Sequence, residues 1–401
     1  MQTLAALICV GAALHWAGRR PWPRRPSLNW RHVFPLLVGA YAAWSALTYL
    51  WSAWPYGTRA YLIRELPFYV LCVTAMLLCG RPQRWLTVAK VFVVAAFAEA
   101  VLQSALIFYM VPHTEPEAGR ELTLGFVFLK NAVFYSNRNF ACAILLTGAF
   151  IAVGFLIHSV GELLHRGAEG GSGRRWRAFT VVAVPVALIA FGFVFVVADS
   201  LAGYVAAAIA LVAYVLCILP IKRKGLIVLI LIAATGTAMM AVVASDRLWR
   251  KSLRAALSPR RTTHLRVVDW LAAAELYMRR PVHGWGMGTF PATYARFHPA
   301  LARKLPFTGD KQTTHPHNEF VRIAAEQGMI GLLLYAGILI YAFSVSYVAL
   351  RDRPARERLV GYALWAGTLT FVVQGTFGKA PMNWSFAANY WILLGVLASA
   401  S

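Results

Sequence analysis

Runs of apolar residues about 20 long recur from one end of this chain to the other, and ~20 helical residues suffice to cross ~30 Å of hydrocarbon. Few folds accept that pattern. The runs lack the period-two alternation of lipid-facing barrel strands, so each reads as helix. A water-soluble chain would be about a quarter charged, whereas these 401 residues are 14% charged and 59% hydrophobic. The expected fold class is all-α: a polytopic helical membrane protein with about eleven or twelve transmembrane helices and one large helical loop. Spans are expected near 2–18, 32–51, 66–80, 85–110, 139–163, 178–197, 201–220, 226–243, 328–350, 359–377 and 386–400. Cys9, Cys72, Cys79, Cys142 and Cys217 all fall inside apolar runs, without zinc-ligand spacing and away from loops where a structural disulfide would form. The first run has no basic residue ahead of it and no small-residue cleavage site, and reads as a retained anchor.

Charge orients the bundle. Alternate short loops hold Arg19, Arg20, Arg24, Arg25 and Arg31, then Arg81 and Arg84, then Arg166, Arg174, Arg175 and Arg177, then Lys222, Arg223 and Lys224, and finally Arg351, Arg353, Arg356 and Arg358. Basic short loops face the cytoplasm. The net charge of +23 thus has a mainly topological cause, and clusters scattered over short loops do not make a nucleic-acid surface. One long polar stretch interrupts the pattern, dividing the chain into a first membrane part over 1–243, a large outer loop over 244–327 and a last membrane part over 328–401. In that loop basic residues outnumber acidic ones more than twofold. Long loops escape the topology rule, so the excess suggests an anionic partner at the outer membrane face.

Two helices are expected inside the loop. Over 263–280, Leu265, Val268, Leu271, Ala272, Leu276 and Met278 make an apolar face, and Pro281 ends the helix. Gly284, Gly286 and Gly288 follow in a turn-rich segment whose missing side chains allow close approach to a ligand or another helix. The second helix is expected to start at Thr314-His315-Pro316, with Thr314 as cap, and to run to Gln327. Gly328 would break or re-aim it before the next span.

This loop carries most of the residues able to do chemistry. His317 lies at the start of the second helix, where the dipole disfavours imidazolium and leaves a neutral base available. From position alone, a histidine capping backbone at the membrane surface explains it more plainly. His315 nearby has no third partner at a convincing spacing, so no metal site is expected. Arg266 offers a guanidinium fork for phosphate oxygens, with Arg260 and Arg261 adding field, although an exposed salt bridge to Asp269 explains it equally. Arg138 within Ser136-Asn137-Arg138-Asn139, Arg59 and Arg64, Lys379, and the short turn Asp199-Ser200 all map to the same side. Together they would form a cationic ring. There is no Walker loop, no Asp-x-Asp pair and no Gly-x-Ser-x-Gly elbow, so nucleotide, nucleotide-sugar and hydrolase chemistry lack their usual residues. Lys90 and Glu99 are the rare charges expected inside spans, which counts against an ion-coupled transporter.

His317-Asn318, then nine residues, then Gly328-Met-Ile-Gly331, resembles the signature of the bacterial O-antigen ligase and polymerase superfamily. So does Arg266-x-x-x-Trp270 followed by Pro281-x-x-Gly284-x-Gly286-x-Gly288-x-Phe290. The resemblance implies a glycosyltransferase of the inner membrane with a periplasmic site. It implies an undecaprenyl-diphosphate-linked glycan donor and, for a ligase, a lipid A–core acceptor, among membrane lipids and without cofactor, metal or nucleic acid. His317 and Arg266 would be its catalytic residues, with Arg266 and Arg138 on the diphosphate and His315, Asn318, Ser200, Arg64 and Lys379 near substrate. Family members often carry a Ser-Arg pair in the short outer turn. Here that place reads Asp199-Ser200-Leu201-Ala202-Gly203, which leaves the second arginine's role to Arg138. A polymerase of the same superfamily, a ligase that glycosylates protein and, from another class, a lipid-linked sugar flippase remain open at this point.

Overall fold

The computed structural model describes residues 30–110, 138–165, 172–198, 200–219, 262–296, 316–376 and 384–399. Its helices are α1 Trp30–Leu47, prolonged by a 3-10 turn Thr48–Trp51, α2 Pro55–Leu78, α3 Pro82–Met110, α4 Arg138–His165, α5 Ser172–Ala198 and α6 Leu201–Ile218. There follow α7 Thr262–Arg279, α8 Glu319–Arg351, α9 Ala355–Gly375 and α10 Trp384–Ala398. A short helix at 290–296 lies between α7 and α8. Among the described residues there is no strand.

Six helical stretches are long and apolar enough to cross a membrane: His32–Trp51, Pro55–Leu78, Pro82–Met110, Asn139–Leu164, Arg177–Ala198 and Glu319–Arg351. Ala202–Ile218 and Phe386–Ala398 are shorter apolar helices. The expected spans 2–18 and 226–243 lie outside the described residues. One boundary needs correction. The third span, expected from 66, begins as α2 at Pro55, which occupies the first turn where a missing N–H costs nothing. Thr58, Arg59, Arg64 and Glu65 depress the hydropathy there, yet Thr58 and Glu65 are buried by neighbouring elements.

Helix α9 is the hub, packing on α4, α6, α8 and α10. Small residues sit at its contact with α4. Gly367 meets Thr147 of α4, whose hydroxyl donates to the Gly367 carbonyl at 2.8 Å, and Gly154 of α4 lies against Ala363. Small residues let two helix backbones approach, so that dispersion and hydroxyl–carbonyl bonds replace a hydrophobic drive that lipid does not supply. Elsewhere α10 packs on α2 and α8 on α1. The bundle has two unlike ends. One carries Arg81, Arg84, Arg175, Arg351, Arg353, Arg356 and Arg358. The other gathers the junction of α1 and α2, the N-termini of α4, α6 and α8, and the C-terminus of α9.

Candidate active site

Helix α8 is broken near its start. Gly328 takes φ 69° and ψ −168°, so the helix from Glu319 to Gln327 stops and a second one begins in a new direction. A break orphans carbonyls on one side and N–H groups on the other. The glycine turn supplies both. Trp285 N donates to Ala325 O at 3.3 Å and Gly286 N to Glu326 O at 2.7 Å, while Met329 N donates to Pro281 O at 2.8 Å. Gly284, at φ 66°, presses so closely on the Glu326 carbonyl that a Cβ there would overlap it. The glycines therefore serve contact with another helix, one of the two uses expected of them.

The region around α7 has a small core of its own, built from Ala272, Ala273 and Leu276 of α7 with Trp285, Phe290, Tyr294 and Ala325. Trp285 Nε1 donates to Leu276 O at 2.8 Å. Burial raises the Tyr294 phenol above its ordinary pKa, and the Asp269 carboxylate adds to the rise. The core is tied to the membrane bundle through the junction of α1 and α2. Thr58 Oγ1 donates to Met287 O at 2.7 Å, Met287 N to Thr48 Oγ1 at 3.0 Å and Trp44 Nε1 to Gln327 O at 3.0 Å.

Sequence reasoning passed over the charged cluster beneath. Arg322 is buried between two carboxylates, with Nη2 at 2.5 Å from Glu319 Oε1 and Nη1 at 2.5 Å from Glu326 Oε2. Glu326 also accepts from Gly288 N at 2.9 Å and Phe290 N at 3.0 Å, so it clamps the glycine turn onto α8. The available signal was spacing, because Glu319, Arg322 and Glu326 share one helical face. Next to the cluster is a cavity walled by Glu65, Glu319 and Arg322 and by Tyr41, Tyr69, Tyr335, Tyr390 and Trp391. The Tyr335 and Tyr390 hydroxyls bond each other at 2.7 Å. The free space there is about 20 Å³, room for roughly one water molecule, so the carboxylates and the guanidinium chiefly satisfy one another.

His317 is half-buried, one residue before the α8 cap and two before Glu319 of the cavity wall. Its φ is 52°, making it the one non-glycine with positive φ among the described residues. Such a conformation costs of order 1–3 kcal/mol and persists where surrounding structure enforces it, often at functional positions. The α8 cap itself is a correction. Asn318, not Thr314, caps the helix, its Oδ1 accepting from Phe320 N at 3.0 Å and Val321 N at 3.2 Å, and helix begins at Glu319 after a non-helical Pro316. An asparagine side chain satisfies orphan N–H groups that a cap four residues earlier would not reach.

The other expected site residues divide into three groups. Ser200, buried, caps α6 by accepting from Gly203 N at 3.0 Å and donates to Asn139 Oδ1 at 2.5 Å. Arg64 lies well inside α2, with Nη2 at 3.2 Å from Glu65 Oε1 and its guanidinium 4.1 Å from the Tyr61 ring. Arg138 opens α4 and position 266 falls in the second turn of α7, but their side chains are outside the described residues. His315 and Lys379 are outside them altogether. The N-termini of α4, α6 and α8 nonetheless share one end: Asn139 bonds Ser200, the Gln374 amide lies between Asn139 O and Ala143 N, and a Cβ on the adjacent Gly375 would sit 3.9 Å from Glu319 Cβ. Three helix N-termini direct partial positive charge toward that end, which favours an anion there.

Residues 185–336 match the family described as O-antigen ligase. The match starts within α5 and ends within α8, so it contains the glycine turn and both Arg266 and His317, and it supports the O-antigen ligase superfamily. A comparison with curated proteins finds no match.

Proposed function

Proceeding from that family match, we propose that the chain is a glycosyltransferase that moves an O-antigen glycan from undecaprenyl diphosphate to a hydroxyl of lipid A–core, at the periplasmic side of the bacterial inner membrane. The observation that carries this reading is a matched stretch holding Arg266 and His317 together. The position of His317 supports it: a left-handed residue two positions before Glu319, at the bundle end where helix N-termini gather.

In the proposed step the acceptor hydroxyl gives its proton to the His317 imidazole while its oxygen bonds the anomeric carbon. The bond from that carbon to the diphosphate breaks, and the electron pair leaves with the diphosphate. Arg266 and Arg138 would stabilise the charge building there. One displacement inverts the anomeric centre, and the diphosphate linkage itself supplies the driving force without a nucleotide. The segment 244–327 would supply Arg266 and His317, and the start of α4 would supply Arg138.

The test is transfer in vitro by purified full-length protein with a defined lipid-linked donor and lipid A–core. Glycan should appear on the core, and His317→Asn should lower the rate by ~10²–10⁴-fold. Asparagine accepts positive φ, so its thermal unfolding should match wild type. Lengthening of the lipid-linked donor with no glycan on the core would replace ligase by polymerase. Undiminished transfer by the variant would remove His317 from the chemistry.

A further inference from the structure

At the end opposite His317, α3, α4 and α5 part around a second cavity, also touched by Arg356 at the start of α9. Its lining changes along each helix. Lys90, Ser159, Arg177 and Arg356 lie toward the basic end, and apolar walls such as Phe97 and Ala187 lie deeper. From Arg177 to Ala187 is about 15 Å of helix, and from Lys90 to Phe97 about 10 Å. The surfaces flanking the mouth are apolar, with Val91 and Val94 of α3 and Phe179 and Val182 of α5 all exposed. An opening between such surfaces on membrane-crossing helices faces lipid.

The cations here have no place in the glycosyl-transfer reading. Lys90 sits about 12 Å into α3 and lines the same cavity as Arg177 and Arg356. Arg177 Nε is buried with no hydrogen-bond partner, and Nη1 is 4.0 Å from Glu162, long for a bonded pair. A buried N–H of a guanidinium left unbonded costs more than a surface one. A phosphodiester would meet that N–H and the three positive charges together, since the guanidinium fork matches phosphate oxygens.

We propose that this cavity binds an anionic glycerophospholipid from the leaflet at the basic end, its phosphate among Arg177, Lys90 and Arg356 and one acyl chain in the apolar slot. The inference depends only on the chain crossing a membrane, and stands or falls apart from the transferase reading.

Native mass spectrometry of the purified full-length protein tests it, with phosphatidylglycerol, phosphatidylcholine of the same chains, or glycerol phosphate added. Wild type should retain phosphatidylglycerol about tenfold better than phosphatidylcholine. Arg177→Gln with Arg356→Gln should abolish that preference, and Ala183→Trp, which fills the slot, should reduce retention of the lipid while leaving the cations in place. Arg81→Gln with Arg351→Gln, at the same end but outside the cavity, should retain lipid as wild type does. Equal retention of the two lipids by wild type would overturn the proposal. So would displacement of the lipid by equimolar glycerol phosphate, which would indicate a free-phosphate site, or equal loss in both arginine pairs, which would indicate diffuse attraction to a basic surface.

Discussion

His317 was legible as a residue because it stands where a polar loop gives way to an apolar run, beside an asparagine and ahead of Gly328. Its left-handed backbone was not legible, since nothing local to a histidine demands positive φ. The cluster under it was hidden for another reason. A buried charge is tolerable only beside its partners, and Glu65 reaches the recess of Glu319 and Arg322 from α2, a different part of the chain. The clamp formed by Glu326 is testable at this scale. Glu326→Ala would leave Gly288 N and Phe290 N without their acceptor and Arg322 with one carboxylate in place of two. Removing one partner of a buried ion pair costs about 3–5 kcal/mol, so thermal unfolding in detergent should show a loss of about that size. A loss below about 1 kcal/mol would mean the clamp is unimportant.

At the scale of elements, apolar periodicity anticipated α7 over nearly its observed length, and glycine punctuation anticipated the break in α8. What spacing alone does not reveal is that the two features are one device. The turn at 284–288 satisfies the backbone groups that Gly328 orphans, and each side presses on the other where a side chain would not fit. Gly328→Ala would place a Cβ at φ 69° against the Val282 carbonyl. It should destabilise the 262–296 region by about 2 kcal/mol or more, and protease should cut there faster than in wild type. An unchanged cleavage rate would show that the junction adapts. The start of α2 was misjudged because a hydropathy window reads Thr58, Arg64 and Glu65 as loop, whereas the 285–288 turn and neighbouring helices bury this end.

For the whole molecule, charge asymmetry yields an orientation that labelling can check. In a cysteine-free background, a cysteine at the exposed Met278 of α7 should react with an impermeant thiol reagent added to intact spheroplasts, and one at Ala355 should react only after lysis. The reverse pattern would place the His317 end in the cytoplasm and end the periplasmic proposal. Membrane character, helical class and the break at Gly328 were determined by the sequence by itself. Each follows from local hydropathy, from glycine's freedom or from the distribution of arginines, and needs no knowledge of distant neighbours. Only the tertiary structure decided that α9 is the hub, that Asn318 and Ser200 cap helices meeting at one end, and that Lys90 shares a cavity with Arg177 and Arg356. Those relations join residues far apart in the chain, and close packing between helices, which no local pattern encodes, is what brings them together.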